Sequence, residues 1–320
     1  MILSASRRTD IPAFFSDWFM NRLRDGYLLV RNPMNYHQVS KIELSPAVLD
    51  CIVFWTKNPR PLLPYLAEIS ESYPFYFQYT LNAYGKDIEQ NLPDVGERVR
   101  ILQTLADAIG KERVIWRYDP VLLSPTYDIR WHVETFGRLA QELAPFIESA
   151  VFSYFDSYPK VENNIRGQKA RACDQTEMET LAREFSSIAG ENGLTLKTCA
   201  EAIDLEQYGI AHNCCIDPSL IEKITGCSIR AKKDANQRPE CGCAESVDIG
   251  QYNTCRHGCR YCYANFNPKS VETFLRQHDK NSPLLIGQPE SADKITTRKM
   301  KLLREERNEE QLELFYTNHC

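Results

Sequence analysis

The sequence predicts an α/β fold, a (β/α) barrel-like arrangement with a cysteine-rich region near its C-terminal end, and three observations carry that prediction. Short β-type runs alternate with amphipathic helical stretches over the first two hundred residues, the pattern of a parallel sheet with helical crossovers. The residues just past most of those runs are polar and reactive, as at the carboxyl ends of barrel strands. Nine of the twelve cysteines then fall between positions 199 and 262. At 320 residues and 43% apolar content the chain can bury a substantial core.

Strands are expected at "MILSAS" (1–6), "CIVFWT" (51–56), "FYFQYTL" (75–81), "RVIWRYD" (113–119), "SAVFSYF" (149–155) and "LTLKTC" (194–199). Between them, "IPAFFSDWFMNRLRDG" has Pro12 near a helix start and ends at Gly26, and "DVGERVRILQTLADAIG" has apolar residues at helical spacing up to Gly110. "TEMETLAREFSSIAGENG" has the same pattern. The organisation expected is a barrel-like domain over 1–200, a cysteine-rich metal or cluster region over 201–266 that closes the barrel, and a helical, charged, loosely docked tail over 267–320.

Charge and composition exclude several classes. Thirty-eight Lys and Arg against 43 Asp and Glu give a net charge of −5, so the chain is no polycation coating nucleic acid, and any such contact must be local. No run approaches the roughly 18 to 20 apolar residues that span a bilayer. The N-terminus becomes charged before a signal-type apolar region develops, so a cytoplasmic location and no membrane partner are expected. Cysteines in that setting point to metal ligation or redox chemistry rather than disulfides.

Past the expected strand ends stand Arg7, Arg8, Thr9 and Asp10, then Lys57 and Asn58, Asn82, Asp119, Asp156 and Cys199. In a barrel these ends converge on one face, which makes Arg7, Arg8, Asp10, Lys57, Asp119 and Asp156 candidate pocket residues. Adjacent guanidiniums in "RRTD" suit a phosphate or carboxylate, although Asp10 also stands where a helix N-cap belongs. Tyr118 and Tyr154, beside that face, are candidates to relay a hydrogen atom or stack a base.

"QYNTCRHGCRYCYANF" (251–266) places Cys255, Cys259 and Cys262 in one short loop. Thiolates are the soft ligands iron–sulfur clusters require, and three can hold three irons of a 4Fe-4S cube while the fourth stays open. Structural zinc is the alternative, though it more often pairs two separated ligand pairs. A second centre is expected upstream, with Cys199, Cys215, Cys241 and Cys243 the preferred set for another 4Fe-4S cluster or a zinc. Free cysteine as a small buried hydrophobe is the other reading of those four.

The C-x3-C-x2-C spacing, with Tyr261 before the last cysteine and the continuation "YCYAN", resembles the cluster loop of radical S-adenosylmethionine (SAM) enzymes. That resemblance implies a 4Fe-4S cluster on Cys255, Cys259 and Cys262, SAM chelated at the open iron, cleavage to a 5'-deoxyadenosyl radical, and an electron donor such as flavodoxin or ferredoxin. Together with "SASRRTDIPAFF", "VFWTKNP" and "WRYDPV", the chain resembles the domain of unknown function 1848 family over essentially its whole length. Radical SAM enzymes carry the loop after their first barrel strand. Here "SVDIGQYNT" (246–254) reads as the strand entering it, so the fold expected is a partial or circularly permuted (β/α) barrel of radical SAM type, with this strand beside "MILSAS". Arg8, Thr9 and Asp10, with Arg7, then become candidates for contacting the methionine end of SAM.

"QLELF", Gln311 to Phe315, matches the pattern by which bacterial replication and repair proteins dock into the sliding clamp, with Leu312, Leu314 and Phe315 as apolar anchors. A terminal amphipathic helix is the alternative. Together these signals predict radical chemistry on DNA or another nucleic acid, similar to spore photoproduct lyase. Lys294, Arg298, Lys299 and Lys301, and Lys160, Arg166, Lys169 and Arg171, are candidate phosphate contacts. The competing classes are a radical SAM-like enzyme of a small metabolite, and a nonenzymatic iron–sulfur or zinc protein that senses redox state or binds nucleic acid.

Overall fold

The chain, described by a computed structural model over residues 1–156 and 159–305, begins on strand β1 (Ile2–Ala5) and turns through helices α1 (Ile11–Phe14) and α2 (Ser16–Asp25). A hairpin of β2 (Tyr27–Asn32) and β3 (Asn35–Glu43) precedes β4 (Cys51–Thr56), α3 (Leu66–Ser70), β5 (Phe75–Thr80), α4 (Val95–Ile109) and β6 (Val114–Val121). Next come α5 (Ile129–Leu143), β7 (Ser149–Tyr154), α6 (Pro159–Ile165), α7 (Gln175–Glu191) and β8 (Thr195–Thr198). Short elements complete the chain: β9 (Ala211–His212), α8 (Pro218–Thr225), β10 (Ser228–Ile229), β11 (Val247–Asp248), α9 (Pro268–Leu275), β12 (Lys294–Thr297) and β13 (Arg304–Glu305).

Eight strands form one sheet in the order β11-β1-β4-β5-β6-β7-β8-β9, and every pairing in it is parallel. The α/β class therefore holds. The margins are β11 and β9, with no ladder between them among the described residues. The first strand and the strand entering the cysteine loop do meet: Leu3 pairs with Val247 and Ser4 with Asp248.

Strand alternation sorts two apolar layers. Leu3, Ile52, Phe54, Phe77, Trp116 and Phe152 face the helices, where Phe136 stacks on Trp116 at 4.9 Å and on Phe185 at 4.3 Å. Ile2, Val53, Tyr76, Ile115 and Val151 face the other way and are covered by Ile216, Ile221 and Ile229 of the cysteine-rich region. Each such fully buried aliphatic or aromatic side chain contributes about 1.5–3 kcal/mol relative to exposure. Helix starts are secured locally: Asp10 caps α1, Asp128 caps α5, and Asp174 with Glu177 forms a capping box on α7.

Three features differ from the sequence expectation. The helix expected over 11–26 breaks at Phe15 (φ −136°), giving α1 and α2, and Gly26 ends it in the left-handed region at φ 75°. The β2–β3 hairpin was not expected. The region expected as a loose helical tail is docked as far as residue 305: Trp18 Nε1 donates to the Ser282 and Leu284 carbonyls, and β12 pairs in parallel with β3. Buried Leu284, Leu285 and Ile286 anchor it, a short apolar run hidden among charges. "QLELF" lies outside the described residues.

Candidate functional site

The β1–β11 junction positions the site. Asp248 accepts from the hydroxyls of Ser4 and Ser6, the Arg7 backbone N–H and Arg8 Nε (2.9 Å), while Arg8 Nη2 donates to the Asp248 carbonyl. Burial pushes the Asp248 carboxyl up, but the Arg8 guanidinium and these donors outweigh it and hold it below the usual range. Gly250 admits the close approach, since a Cβ there would stand 2.0 Å from Ser6 Oγ and 2.6 Å from Ser6 Cβ. The chain then enters the three-cysteine loop at the carboxyl end of the sheet.

Asp10 fixes that loop. Its carboxylate accepts from Ala13 N at the start of α1, from Thr56 Oγ1 (2.8 Å) and from Lys57 N (2.8 Å), and His257 Nε2 stands 2.7 Å away. One carboxylate thus ties the end of β1, the end of β4 and the middle of the cysteine loop. Gly258, at φ 67°, turns the backbone between His257 and Cys259.

A cavity of about 380 Å³ opens over the strand ends, and seven cysteines reach it: Cys255, Cys259 and Cys262 on one side, Cys199, Cys215, Cys241 and Cys243 on the other. Beside the loop, Lys57 Nζ donates to Glu89 Oε1 (3.0 Å) and Tyr261 OH (2.7 Å), Tyr261 OH donates to the same Glu89, and Arg98 pairs with its second oxygen at 3.1 Å. Burial disfavours both charges of the Lys57–Glu89 pair, yet the carboxylate raises the lysine against both burial and the nearby Arg98, and Lys57 together with Arg98 holds the glutamate below its usual range. Burial pushes the Cys259 thiol up to about 12, even with Lys57 nearby.

On the far side, Arg117 Nη1 donates to Cys215 Sγ at 2.8 Å and to Gln78 Oε1 at 3.2 Å, and the same guanidinium pairs with Asp119. Asp119 also accepts from Ser153 Oγ. Two guanidiniums lie near the Trp55 ring, those of Arg7 at 5.6 Å and Arg117 at 5.3 Å from its centre. The indole Nε1 and the Thr9 hydroxyl, both on cavity-lining residues, are buried without a protein partner. Burial, the largest cause, lifts the Glu201 carboxyl to about 8, so a protonated acid lines the cavity at neutral pH.

Of the sequence-predicted residues, Arg7, Thr9, Asp10, Lys57, Asp119, Tyr154, Asp156, Tyr261 and the seven cysteines line this cavity. Two do not. Arg8 turns to Asp248, so it positions β11 instead of facing a ligand. Tyr118 faces the helices, its hydroxyl 2.8 Å from His132 Nδ1, because period-two alternation sends 117 and 119 inward and 118 outward. Tyr154 borders the cavity, but its hydroxyl donates to Met178 O in α7, so neither tyrosine presents a phenol there. Asp156 pairs with Arg238 across the rim at 2.5 Å, an exposed pair of small energetic weight.

Sequence reasoning missed Trp55, Arg117, His257, Glu89, Asp248 and Glu201. The first two were within reach, since each precedes a chosen inward residue by two, and His257 sits inside the cysteine loop. Glu89 carries no sequence signal; its role comes from Arg98 and Lys57 converging on it in space.

Fold and site together define a parallel α/β protein with a thiol-lined cavity at its strand ends. Residues 2–264 match the family described as Domain of unknown function (DUF1848), and the chain belongs to that family. No curated protein and no solved structure matches it. Among the described residues, no helix is long and apolar enough to cross a membrane.

Proposed function

We propose that this chain is an iron–sulfur enzyme of the radical SAM type, with Cys255, Cys259 and Cys262 holding a 4Fe-4S cluster. The observation that carries the reading is the parallel pairing of β11 with β1, which brings the three-cysteine loop to the carboxyl ends of a parallel sheet. The donor set fits the group: three soft ligands from one loop, all facing one cavity, with the Ala264 N–H donating to Cys262 Sγ at 3.3 Å. When bound, the cluster with SAM supplies a 5'-deoxyadenosyl radical.

The chain's own residues bind and orient. Arg7 offers a guanidinium to a carboxylate, and Thr9 a buried hydroxyl that no protein group claims. Asp10 and Arg8 act through the backbone they hold, Asp10 by locking His257 and Lys57, Arg8 by locking Asp248. Tyr261, held by Lys57 and Glu89, closes the cavity beside Cys259 and Cys262. The test is anaerobic purification with iron and sulfide analysis, followed by reduction with SAM present. About four loop-bound irons and release of 5'-deoxyadenosine are expected; a fully loaded protein that leaves SAM intact would sink the reading in favour of a nonenzymatic sensor.

DNA or another nucleic acid is the substrate class we attach to this chemistry, on the strength of "QLELF" and of the exposed Lys294, Arg298, Lys299 and Lys301. Deleting residues 308–320 should abolish retention on immobilised bacterial sliding clamp. Undiminished retention would return the substrate to the small-metabolite class.

A further inference from the structure

We infer that the far wall of the cavity holds a second metal centre, in which Cys199, Cys215, Cys241 and Cys243 supply four thiolates to a soft metal ion or iron–sulfur cluster. Cys199 stands just past β8, Cys215 comes after β9, and the other two flank Gly242, so three separate segments deliver the four sulfurs. Their order in space is a chain. The Cys199 and Cys215 sulfurs are 3.3 Å apart, Cys215 contacts Cys243, and Cys243 contacts Cys241.

The groups around these sulfurs suit thiolates rather than thiols. Arg117 Nη1 donates to Cys215 Sγ at 2.8 Å, Asn213 Nδ2 reaches the same sulfur at 3.3 Å, and the Ile216 N–H donates to Cys243 Sγ at 3.4 Å. A thiol is a weak acceptor, whereas a metal-bound thiolate draws such N–H donors, which orient the ligand and stabilise its charge. Arg117 is 3% exposed, and beyond the shared Asp119 its anionic neighbour would be a ligand sulfur. Gly242 admits the close approach of Cys214, since a Cβ there would stand 2.6 Å from Cys214 Sγ.

Cys214 and Cys227 do not line the cavity, so the set closes at four. Four protein thiolates leave a single ion or a cube no open position. This centre would therefore pin the segment covering the sheet, or pass electrons, instead of chelating a substrate. The inference is independent of the radical SAM reading.

The test measures iron, sulfide and zinc in three full-length proteins purified without oxygen: wild type, a Cys255→Ala/Cys259→Ala/Cys262→Ala variant, and a Cys215→Ser/Cys243→Ser variant. Cys227→Ser, outside the cavity, is the control. The loop variant should keep about one zinc or about four irons per chain, ringed by sulfur in X-ray absorption, and the Cys215/Cys243 variant should lose that metal alone. Zinc and iron–sulfur outcomes both support the centre and name its occupant.

A loop variant that is folded by circular dichroism yet holds less than about a tenth of an equivalent of either metal overturns the inference. So does metal bound without sulfur neighbours, or a Cys199–Cys215 disulfide mapped in metal-free protein. Should the Cys215/Cys243 variant fail to fold, the loop variant decides alone. Should the loop variant fail, wild type decides, with metal beyond the loop's share expected and its absence contrary.

Discussion

The two cysteine groups facing the cavity are built in opposite ways. Cys255, Cys259 and Cys262 come from one loop, and their placement depends on what grips that loop from outside: Asp10 on His257, Asp248 on Arg8, and Glu89 on Tyr261. Cys199, Cys215, Cys241 and Cys243 come from three segments, and N–H donors reach two of their sulfurs directly, those of Cys215 and Cys243. A short motif is recognised by its spacing; the scattered four could be named from the crowding of cysteines, but that they share one cavity wall shows only in the folded chain. On the proposed reading the two groups would have separate roles, since three loop thiolates would leave a corner of the cluster open while four scattered ones would not.

The largest effect expected from breaking this comparison is on chemistry. Cys259→Ala should remove about four irons and reduce SAM cleavage to background while sparing the second group's metal, read by metal analysis and product chromatography. Next is Asp10→Ala, which uncaps α1 and strips partners from Lys57 N, Thr56 and His257 together. We expect a stability loss of about 3–5 kcal/mol by urea unfolding, with poor loop metallation. A loss confined to about 1 kcal/mol would mean that Asp10 is only a cap.

Gly250→Ala should cost about 1–3 kcal/mol, because Ser6 must move for the new methyl, and should lower the loop's metal more than the scattered set's. The pH dependence sharpens the assignment of Tyr118. Burial pushes His132 down to about 4, so its Nε2–H donates to Leu122 O and the neutral Nδ1 accepts from Tyr118. The folded pKa lies below the unfolded value, so stability present above about pH 6.5 drains away as pH falls toward the folded pKa, by up to about 3 kcal/mol. Urea midpoints of His132→Gln should be flatter across that range. Smallest is Tyr118→Phe, about 1 kcal/mol, with metal content and SAM cleavage unchanged.

Much of this was legible because parallel strands with both faces covered read as apolar runs: "CIVFWT" is β4 residue for residue, and "FYFQYTL" overshoots β5 by one. The neighbourhood of "SVDIGQYNT" and "MILSAS" was legible through the resemblance, although only Val247–Asp248 pair. Face was harder. Tyr118 and Arg8 were misplaced because proximity in sequence to an inward residue says nothing of direction, whereas counting in twos from Lys57 and Asp119 would have found Trp55 and Arg117. The docking of 267–305 was illegible, since three buried residues, Leu284 to Ile286, outweigh a charged surrounding stretch.

The pairing of Ser4 with Asp248 spans 244 positions of chain. During synthesis the first strand emerges with one edge bare and waits for a partner that leaves the ribosome last among the sheet's strands. Until then the acid that will hold Arg8 does not exist, and of "RRTD" only Asp10 already has partners, at the start of α1 and the end of β4. Any metal loading of the loop would thus follow nearly the whole sheet, and a nascent chain stalled before residue 247 should expose that edge to chaperones or to other nascent copies.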